Sequence, residues 1–366
     1  MGRLKTLHVR GFKSIRDQKL ELEALNVFIG GNGAGKSNLI GVFQLLNRVA
    51  NQQLQIYTGE AGGANAILHF GRKHTEALSV RIELHESPAR ASRYDFQLRP
   101  TDEDRFIFDF EIISCRDKPS QDKPSYDENW RGHAEARVAE SKKPVAQYLS
   151  EHLNGHRIYH FHDTSSSARV KQTGEIADNR YLREDAANVA AFLYRLEQRE
   201  PNHFQNIVET VRQVAPFFRR FKLEPSALNP EKIRLEWEEN GSDTYFNAAA
   251  LSDGTLRFIC LVTLLLQPTQ TLPSIILLDE PELGLHPAAI QVLASLLESA
   301  ATRTQLLVAT QSVTLINQLR PGHVWVVDRE EGQSVFRHLK ENDMSSWLED
   351  YSLGELWEKN IFGGRP

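Results

Sequence analysis

Thiols and thioethers are scarce in this sequence, with two cysteines and two methionines in 366 residues. Cys115 and Cys260 cannot build a metal cluster by themselves. So few thiols also exclude a disulfide framework and suit a reducing compartment. Long hydrophobic runs are missing as well. The longest, Phe258–Leu266, is broken by Thr263 and falls far short of the ~20 residues that a bilayer span takes. The opening residues Met1–Arg10 carry charge with no apolar stretch behind them, so no secretory leader is expected and a cytoplasmic chain is. Neither sign of charge prevails: 43 Lys+Arg stand against 48 Asp+Glu, for a net charge of −5. That removes any global pull toward nucleic acid, so DNA contact needs a local patch. Repeats, low-complexity tracts and sustained heptads are absent too. What is present is an ordinary globular composition, 40% apolar and 25% charged. It supplies a core and allows two or three domains.

Apolar periodicity outlines an α/β chain. Leu4, Leu7 and Val9, then Leu20 and Leu22, then Val27-Phe28-Ile29 read as two or three strands. A glycine-rich loop, Gly30–Ser37, leads into a helix from Asn38 to about Asn51. Strands are expected at Leu78–His85, Tyr94–Leu98 and Phe106–Ser114. Residues 115–144 mix prolines with both signs of charge and read as a surface insertion. Helices are expected at Asp185–Arg199 and Asn202–Val214, and a strand at Ile233–Trp237. The C-terminal third alternates: a helix to Gln267, a strand at Ile275–Leu278, a helix at Ala288–Ala300, a strand at Gln305–Ala309, a helix start at Ser312–Leu319 and a strand at Val324–Val327.

Three segments carry chemistry. Gly30-Gly31-Asn32-Gly33-Ala34-Gly35-Lys36-Ser37 fits G-x-x-x-x-G-K-[ST] between a strand and a helix. The glycines let backbone N–H groups of Asn32, Gly33, Ala34, Gly35 and the helix start through Asn38 converge on phosphate oxygens. Lys36 reaches the β- and γ-phosphates, and Ser37 holds Mg²⁺. The second segment, Ile275-Ile276-Leu277-Leu278-Asp279-Glu280, is a buried parallel strand that ends in two carboxylates. Asp279 suits the Mg²⁺ shell, and Glu280 suits the attacking water. Third, Leu251-Ser252-Asp253-Gly254 opens an apolar helix 28 residues before Asp279. Ser252 there can donate to a phosphate or simply cap its helix.

Together these segments resemble the ABC-type ATPases. The turn Gly11-Phe12-Lys13-Ser14-Ile15 resembles the RecF/SMC branch rather than transporters. Tyr159–Ser165, Leu353–Trp357 and Gly363-Gly364-Arg365-Pro366 are similar to the bacterial RecF-like, OLD-like "AAA family ATPase" group. The resemblance spans nearly the whole chain and is weakest across 86–150. It implies an α/β, ABC-type P-loop NTPase of RecF/SMC-head kind, with a two-lobed core and a helical subdomain. The implied division is 1–165 for an N-terminal lobe, 166–230 for the helical subdomain and 231–366 for a C-terminal lobe. Lys36 and Asp279 are 243 residues apart, too few for coiled-coil arms, so an armless head is expected.

The resemblance implies ATP and Mg²⁺ as ligands. Lys13 and Ser14 would lie near the base and ribose-phosphate, and His162, at the Q-loop place, would sense the γ-phosphate or Mg²⁺. Ser252 and Gly254 would meet the nucleotide of a partner copy in a head-to-tail, ATP-dependent homodimer that could build higher assemblies. Gln311 stands where the family usually carries a switch histidine. Its amide can donate but cannot titrate. Asp253 and Thr255 depart from the usual signature. Asp253 places a carboxylate beside that site, unhelpful unless it points away. The implied function is regulation of DNA repair or antiphage defence through a separately encoded effector such as a nuclease or toxin, with no membrane role.

Several alternatives stay open from the residues themselves. His152, His156, His160 and His162 are dense enough to raise a metal site and a hidden nuclease, though two nearby ligands do not make a site. A scaffold that binds ATP with slow turnover is another reading. Arg212, Arg219, Arg220 and Lys222, interleaved with Phe217, Phe218 and Phe221, form either a DNA-tracking strip or a loop that covers the core. A second basic set, Arg131, Arg137, Lys142 and Lys143, reads as solvated surface. His286, before Pro287, either assists at the interface or is an ordinary turn residue.

Overall fold

The computed structural model describes residues 2–87, 90–116, 126–344 and 347–364, leaving aside the side chains of Tyr126, Asp127 and Asp343. The N-terminal elements are β1 (Arg3–Phe12), β2 (Ile15–Glu21), β3 (Leu25–Ile29), α1 (Lys36–Ala50), α2 (Leu54–Glu60), α3 (Ala64–Ile67), β4 (Leu78–Ser87), β5 (Arg90–Pro100), β6 (Phe106–Arg116), β7 (Tyr126–Trp130) and α4 (Pro144–Asn154). Then come β8 (His156–Tyr159), β9 (Gly174–Glu175), α5 (Val189–Arg199), α6 (Pro201–Val214), β10 (Phe218–Lys222), β11 (Lys232–Ile233), β12 (Glu236–Glu239), β13 (Tyr245–Asn247), α7 (Asp253–Leu266), β14 (Ile275–Asp279), α8 (Pro287–Ala301), β15 (Gln305–Thr310) and α9 (Val313–Ile316). The chain closes with β16 (Val324–Glu330), β17 (Gln333–His338), α10 (Glu341–Met344) and α11 (Leu353–Glu358). No described helix is long and apolar enough to cross a membrane.

Two compact units result, Met1–His156 with Arg320–Pro366, and Arg157–Leu319. In the first, an antiparallel sheet runs in the order β2-β1-β4-β5-β6-β7. Alternation decides its faces: Leu4, Leu7 and Val9 of β1 and Leu78, Val80, Ile82 and Leu84 of β4 are buried, with exposed or half-buried residues between them. A separate layer pairs β16 in parallel with β3 and antiparallel with β17. β3 is buried at every position, as a strand covered on both faces must be. Helix α1 begins at Lys36, earlier than its apolar spacing suggests, because Gly35, at φ 125°, ends the loop. Strand β5 outruns its apolar core at both ends, and β4 and β6 at their C-terminal ends, since antiparallel neighbours continue the ladder through polar residues.

Residues 126–144 depart from the expected surface insertion. β7 pairs with β6, and Ala136 and Val138 are fully buried. The cause is Glu111, a carboxylate with no exposure. It accepts from Tyr94 Oη (2.8 Å), His133 Nε2 (2.7 Å) and the N–H groups of Arg137 (2.8 Å) and Val138 (3.0 Å). A buried carboxylate is tolerable only when its lone pairs are filled this way, and filling them orders the segment. Burial, reinforced by the Glu111 carboxylate, pushes the Tyr94 hydroxyl well up. Residues 117–125 of the expected insertion lie outside the described ones.

His152 and His156 are core residues of this unit. His152 Nε2 bonds the Gly2 carbonyl at 3.1 Å, and its Nδ1 meets His156 Nε2 at 3.2 Å. Burial pushes the His152 imidazolium down to about 4. Unfolded His152 therefore binds its proton near pH 6.5 while the folded form resists. Stability is fully present above that pH and falls as pH drops toward 4, by about 3 kcal/mol from this residue. Thermal melts of wild type and His152→Leu between pH 7 and pH 4 should converge toward the acid end. Parallel curves would refute the assignment.

The second unit centres on β14, paired in parallel with β15 and flanked on its other side by β8. Helix α7 is buried along most of its length. Helix α5 starts at Val189, later than its apolar pattern suggests. Buried Asn188 ties down the preceding loop, accepting from Arg183 N–H and donating to the Asp178 and Tyr181 carbonyls. The expected strand at 233–237 divides into β11 and β12, and the helix expected from Ser312 is only the short α9. A small antiparallel sheet, β10-β12-β13, holds the basic strip. There Phe218 and Phe221 are buried, Phe218 stacks toward Trp237, and Arg220 binds Glu238 through two nitrogens at 2.8 and 2.9 Å. Arg219 approaches the same carboxylate, and Arg212 donates to the Arg219 carbonyl at 2.9 Å. Phe218 and Phe221 thus cover core, while Arg219 and Arg220 share one carboxylate and stay about half exposed.

Candidate functional site

The phosphate loop lies in the first unit, between β3 and α1. Its glycines are required by space. A Cβ on Gly30 would overlap the Val327 carbonyl, and one on Gly35 would overlap Ser334 Oγ. Gly33 and Gly35 both have positive φ, at 77° and 125°. Lys36 is buried within the loop it belongs to, and its ammonium donates to the Gly30 and Gly31 carbonyls, the latter at 3.2 Å. Asn32, Gly33 and Ser37 are exposed, so the loop's rim is accessible.

A polar chain braces this loop. Asn38 Nδ2 donates to Ser14 Oγ at 2.6 Å, Ser14 and Ser334 share a hydroxyl–hydroxyl bond at 2.6 Å, and Ser334 Oγ donates to the Ala34 carbonyl at 2.5 Å. Ser14 and Asn38, chosen from the sequence, thus stand together, and Ser334 completes them. Nothing in the sequence pointed to Ser334, which is 300 residues from Ala34. Lys13 sits at φ 46°, with its N–H on the Ile67 carbonyl and its own carbonyl on His69 Nδ1 at 2.6 Å.

The acidic pair lies in the second unit. Asp279 ends β14, and Glu280 follows at φ 42°, its N–H held by the Ala309 carbonyl at 2.8 Å. Left-handed backbone on a non-glycine residue costs about 1 kcal/mol or more, and here it turns the carboxylate out of the strand. Gln311 Nε2 donates to Glu280 Oε1 at 2.7 Å, so two residues selected separately from the sequence are hydrogen-bonded. Behind them Thr310 Oγ1 donates to Glu282 Oε1 at 2.5 Å. Burial, reinforced by the Glu280 charge, holds the Glu282 carboxyl above the usual range. His162 shares a crevice with Asp279, Glu280 and Arg257. Burial lowers the neighbouring His160, against the pull of Asp279 and with the help of His162.

Arg257 is a residue the sequence reading missed. Its guanidinium donates to the Phe161, His162 and Leu283 carbonyls at 3.1, 2.8 and 2.8 Å, and so ties the His162 turn to the turn after Glu282. Ser252 caps α7, accepting from Thr255 N–H at 3.2 Å, and stays exposed. Gly254 has a packing reason, since a Cβ there would overlap the Gly284 carbonyl. Asp253 turns toward Lys171 Nζ at 3.4 Å, which partly neutralises its carboxylate. His286 caps α8, Nδ1 accepting from Ala288 N–H at 3.3 Å. The four dense histidines form two pairs, His152 with His156 and His160 with His162, and no group of three or more His, Cys, Asp or Glu is set to hold a metal ion among the described residues.

A strand–phosphate-loop–helix beside an antiparallel sheet, and a buried strand ending Asp-Glu, give the chain an SMC-head-like P-loop fold. The chain belongs to the AAA_21 family, described as "AAA domain, putative AbiEii toxin, Type IV TA system", whose profile matches residues 25–317. No curated protein matches it. Among solved structures it is similar to an Smc head bound to the C-terminal winged-helix domain of ScpA, at 15% identity and TM-score 0.61, covering 94% of this chain and 99% of that one. It is also similar to a Pyrococcus furiosus Smc head with an extended coiled coil bound to ScpA, at 14% identity and TM-score 0.57, covering 96% and 99%. The Thermotoga maritima SMC head matches at 13% identity and TM-score 0.52, covering 92% and 99%. At these identities the likeness is one of fold.

Proposed function

We infer that this ATPase binds ATP with Mg²⁺, hydrolyses it slowly and couples nucleotide state to head-to-tail dimerisation. The single observation that carries the reading is the Gln311–Glu280 hydrogen bond at 2.7 Å, which holds a carboxylate at the place where the family resemblance puts the attacking water. The loop glycines and Lys36 bind the phosphates. Ser37 and Asp279 would hold Mg²⁺, with His162 as a further candidate, and the ion would supply charge neutralisation at the phosphates. Ser37 is exposed at the rim of the loop, and Asp279 and Glu280 line a crevice of their own unit with His162; their hydroxyl and carboxylate oxygens are donors of the kind Mg²⁺ takes. Lys13 and Ser14 face the nucleoside end. Ser252, exposed at its helix start, and Gly254 meet the nucleotide of a second copy.

In these terms the unit Met1–His156 with Arg320–Pro366 is the phosphate-binding lobe, and the unit Arg157–Leu319 carries the acidic pair, the signature helix and, over 166–230, the helical subdomain. The family description names a toxin of a toxin–antitoxin system, and two of the three solved Smc heads are bound to ScpA. Both favour a chain that regulates a defence or repair process through a separate effector protein. In the 212–222 strip the Glu238 carboxylate, shared by Arg219 and Arg220, offsets part of the positive charge.

The test is phosphate release and solution mass with and without ATP. Wild type should hydrolyse ATP, and its mass should double with ATP and Mg²⁺. Lys36→Ala should do neither. An ATP-indifferent monomer at micromolar concentration would remove the dimer. Absence of turnover, with binding retained, would leave the ATP-binding scaffold as the better reading.

A further inference from the structure

Glu282 stands two residues beyond Glu280, in the turn after β14, and it is buried, with 8% of its surface exposed. Its Oε1 accepts from Thr310 Oγ1 at 2.5 Å, and its Oε2 has no hydrogen-bond partner among the described residues. A buried acid left partly unpaired is destabilising, and an apolar side chain of similar volume would avoid that cost. Stability alone therefore does not account for a carboxyl at this place. Costly buried acids of this kind gather at functional sites.

What the carboxyl touches points to its use. Thr310 is fully buried at the end of β15, and its hydroxyl makes two bonds. It donates to Glu282 and accepts from the Ser312 N–H at 2.9 Å. The Gln311 N–H is a further donor to the Glu282 carboxyl. Gln311 is therefore held at its own backbone and through both of its neighbours, and Glu282 is the group on which these bonds converge. The Gln311 side chain in turn donates to Glu280 Oε1 at 2.7 Å. From the acidic side the turn is closed by Glu280 N–H on the Ala309 carbonyl at 2.8 Å and by Leu283 N–H on the Glu280 carbonyl at 3.1 Å. Glu280, Gln311, Thr310 and Glu282 thus form one closed circuit of bonds, and all of it lies within the unit Arg157–Leu319.

We propose that Glu282 is a positioning residue for ATP hydrolysis: through Thr310 and the Gln311 backbone it fixes the amide that aims Glu280 at the attacking water. The inference rests on the Glu280–Gln311 reading of hydrolysis above and adds the group that holds that pair. Glu282 acts through Gln311 and is asked to touch no reacting atom. Its contribution is geometric, and geometry of this kind is demanding, since a misplacement of about 1 Å at a reacting group can cost about a hundredfold in rate. What the circuit needs from residue 282 is an acceptor oxygen, which a glutamine also supplies.

The experiment measures ATP turnover and ATP affinity of the full chain in a double-mutant cycle. Glu282→Met keeps the length of the side chain and removes its acceptors. It should lower kcat about tenfold, as Gln311→Ala does, and leave the Kd for ATP within about twofold of wild type. Glu282→Gln should keep kcat within about twofold of wild type. In the Gln311→Ala background, Glu282→Met should cost no more than about twofold further, because the amide it positions is already gone. Independent losses that multiply to about a hundredfold would overturn the proposal. So would unchanged turnover in Glu282→Met, or equal losses of turnover and ATP affinity, which mean a damaged fold. A Glu282→Gln variant as slow as Glu282→Met would show that the acid itself is needed and would overturn it too. Glu280→Gln separates the two levels of the argument. If that variant is inactive while Glu282→Met turns over normally, only this inference fails; if it turns over like wild type, the Glu280 reading fails and this inference falls with it.

Discussion

Glu280→Gln should lower the turnover number by about 10²- to 10⁴-fold, the usual contribution of a general base, while ATP affinity changes little. The reason is geometric. Gln311 donates its amide to Glu280 Oε1, and a glutamine at 280 keeps an oxygen there to accept. The substitution therefore preserves the bond and the backbone turn at φ 42° and removes only the charge that would orient or deprotonate water. Binding without turnover should leave the ATP-bound dimer populated, visible as a persistent doubled mass with ATP and Mg²⁺. Gln311→Ala should give a smaller loss, about tenfold, because the carboxylate remains but loses its clamp. Equal turnover in wild type and Glu280→Gln would show that another group performs the step. A Gln311→Ala effect larger than that of Glu280→Gln would move the principal role to Gln311.

Gly35→Ala should be the most damaging change in the phosphate loop. At φ 125° an alanine incurs a backbone cost of order 1–3 kcal/mol. Its Cβ would also overlap Ser334 Oγ, adding an overpacking cost of about 1–3 kcal/mol. The expected loss is therefore about 2–6 kcal/mol. Displacing Ser334 breaks its bond to the Ala34 carbonyl, so ATP binding should fall together with stability. Adding Ser334→Gly removes the clash but not the φ penalty. The double variant should recover part of the lost stability and no more. Denaturant unfolding and ATP titration of the three proteins check this. Full recovery would show that backbone strain is negligible, and no loss in the single variant would show that the loop tolerates a side chain there.

Most of what is contiguous in the chain was legible in its sequence. The phosphate loop reads from eight consecutive residues, Gly30–Ser37, because its chemistry is backbone N–H groups and neighbours along one turn. The buried strand Ile275–Asp279 reads from its unbroken apolar run, and β1 and β4 read from alternation. Elements were lost where burial came from distant partners. β7 and the 133–138 segment look like solvated loop until the Glu111 carboxylate collects their donors. Helix α5 looks longer than it is, because nothing local shows that Asn188 is spent on the preceding loop.

By itself, then, the sequence determined the α/β class, the phosphate loop and the identity of the acidic pair. These follow from local geometry and from the period of burial, both of which are written in neighbouring residues. The tertiary structure decided which side chains touch. It set Gln311 on Glu280, turned Asp253 toward Lys171, committed Arg220 to Glu238 and brought Ser334 across 300 residues to the Ala34 carbonyl. Such contacts form only after separate strands are packed side by side. Their hydrogen bonds are a few ångströms long and join residues tens to hundreds of positions apart, and no spacing along the chain encodes them.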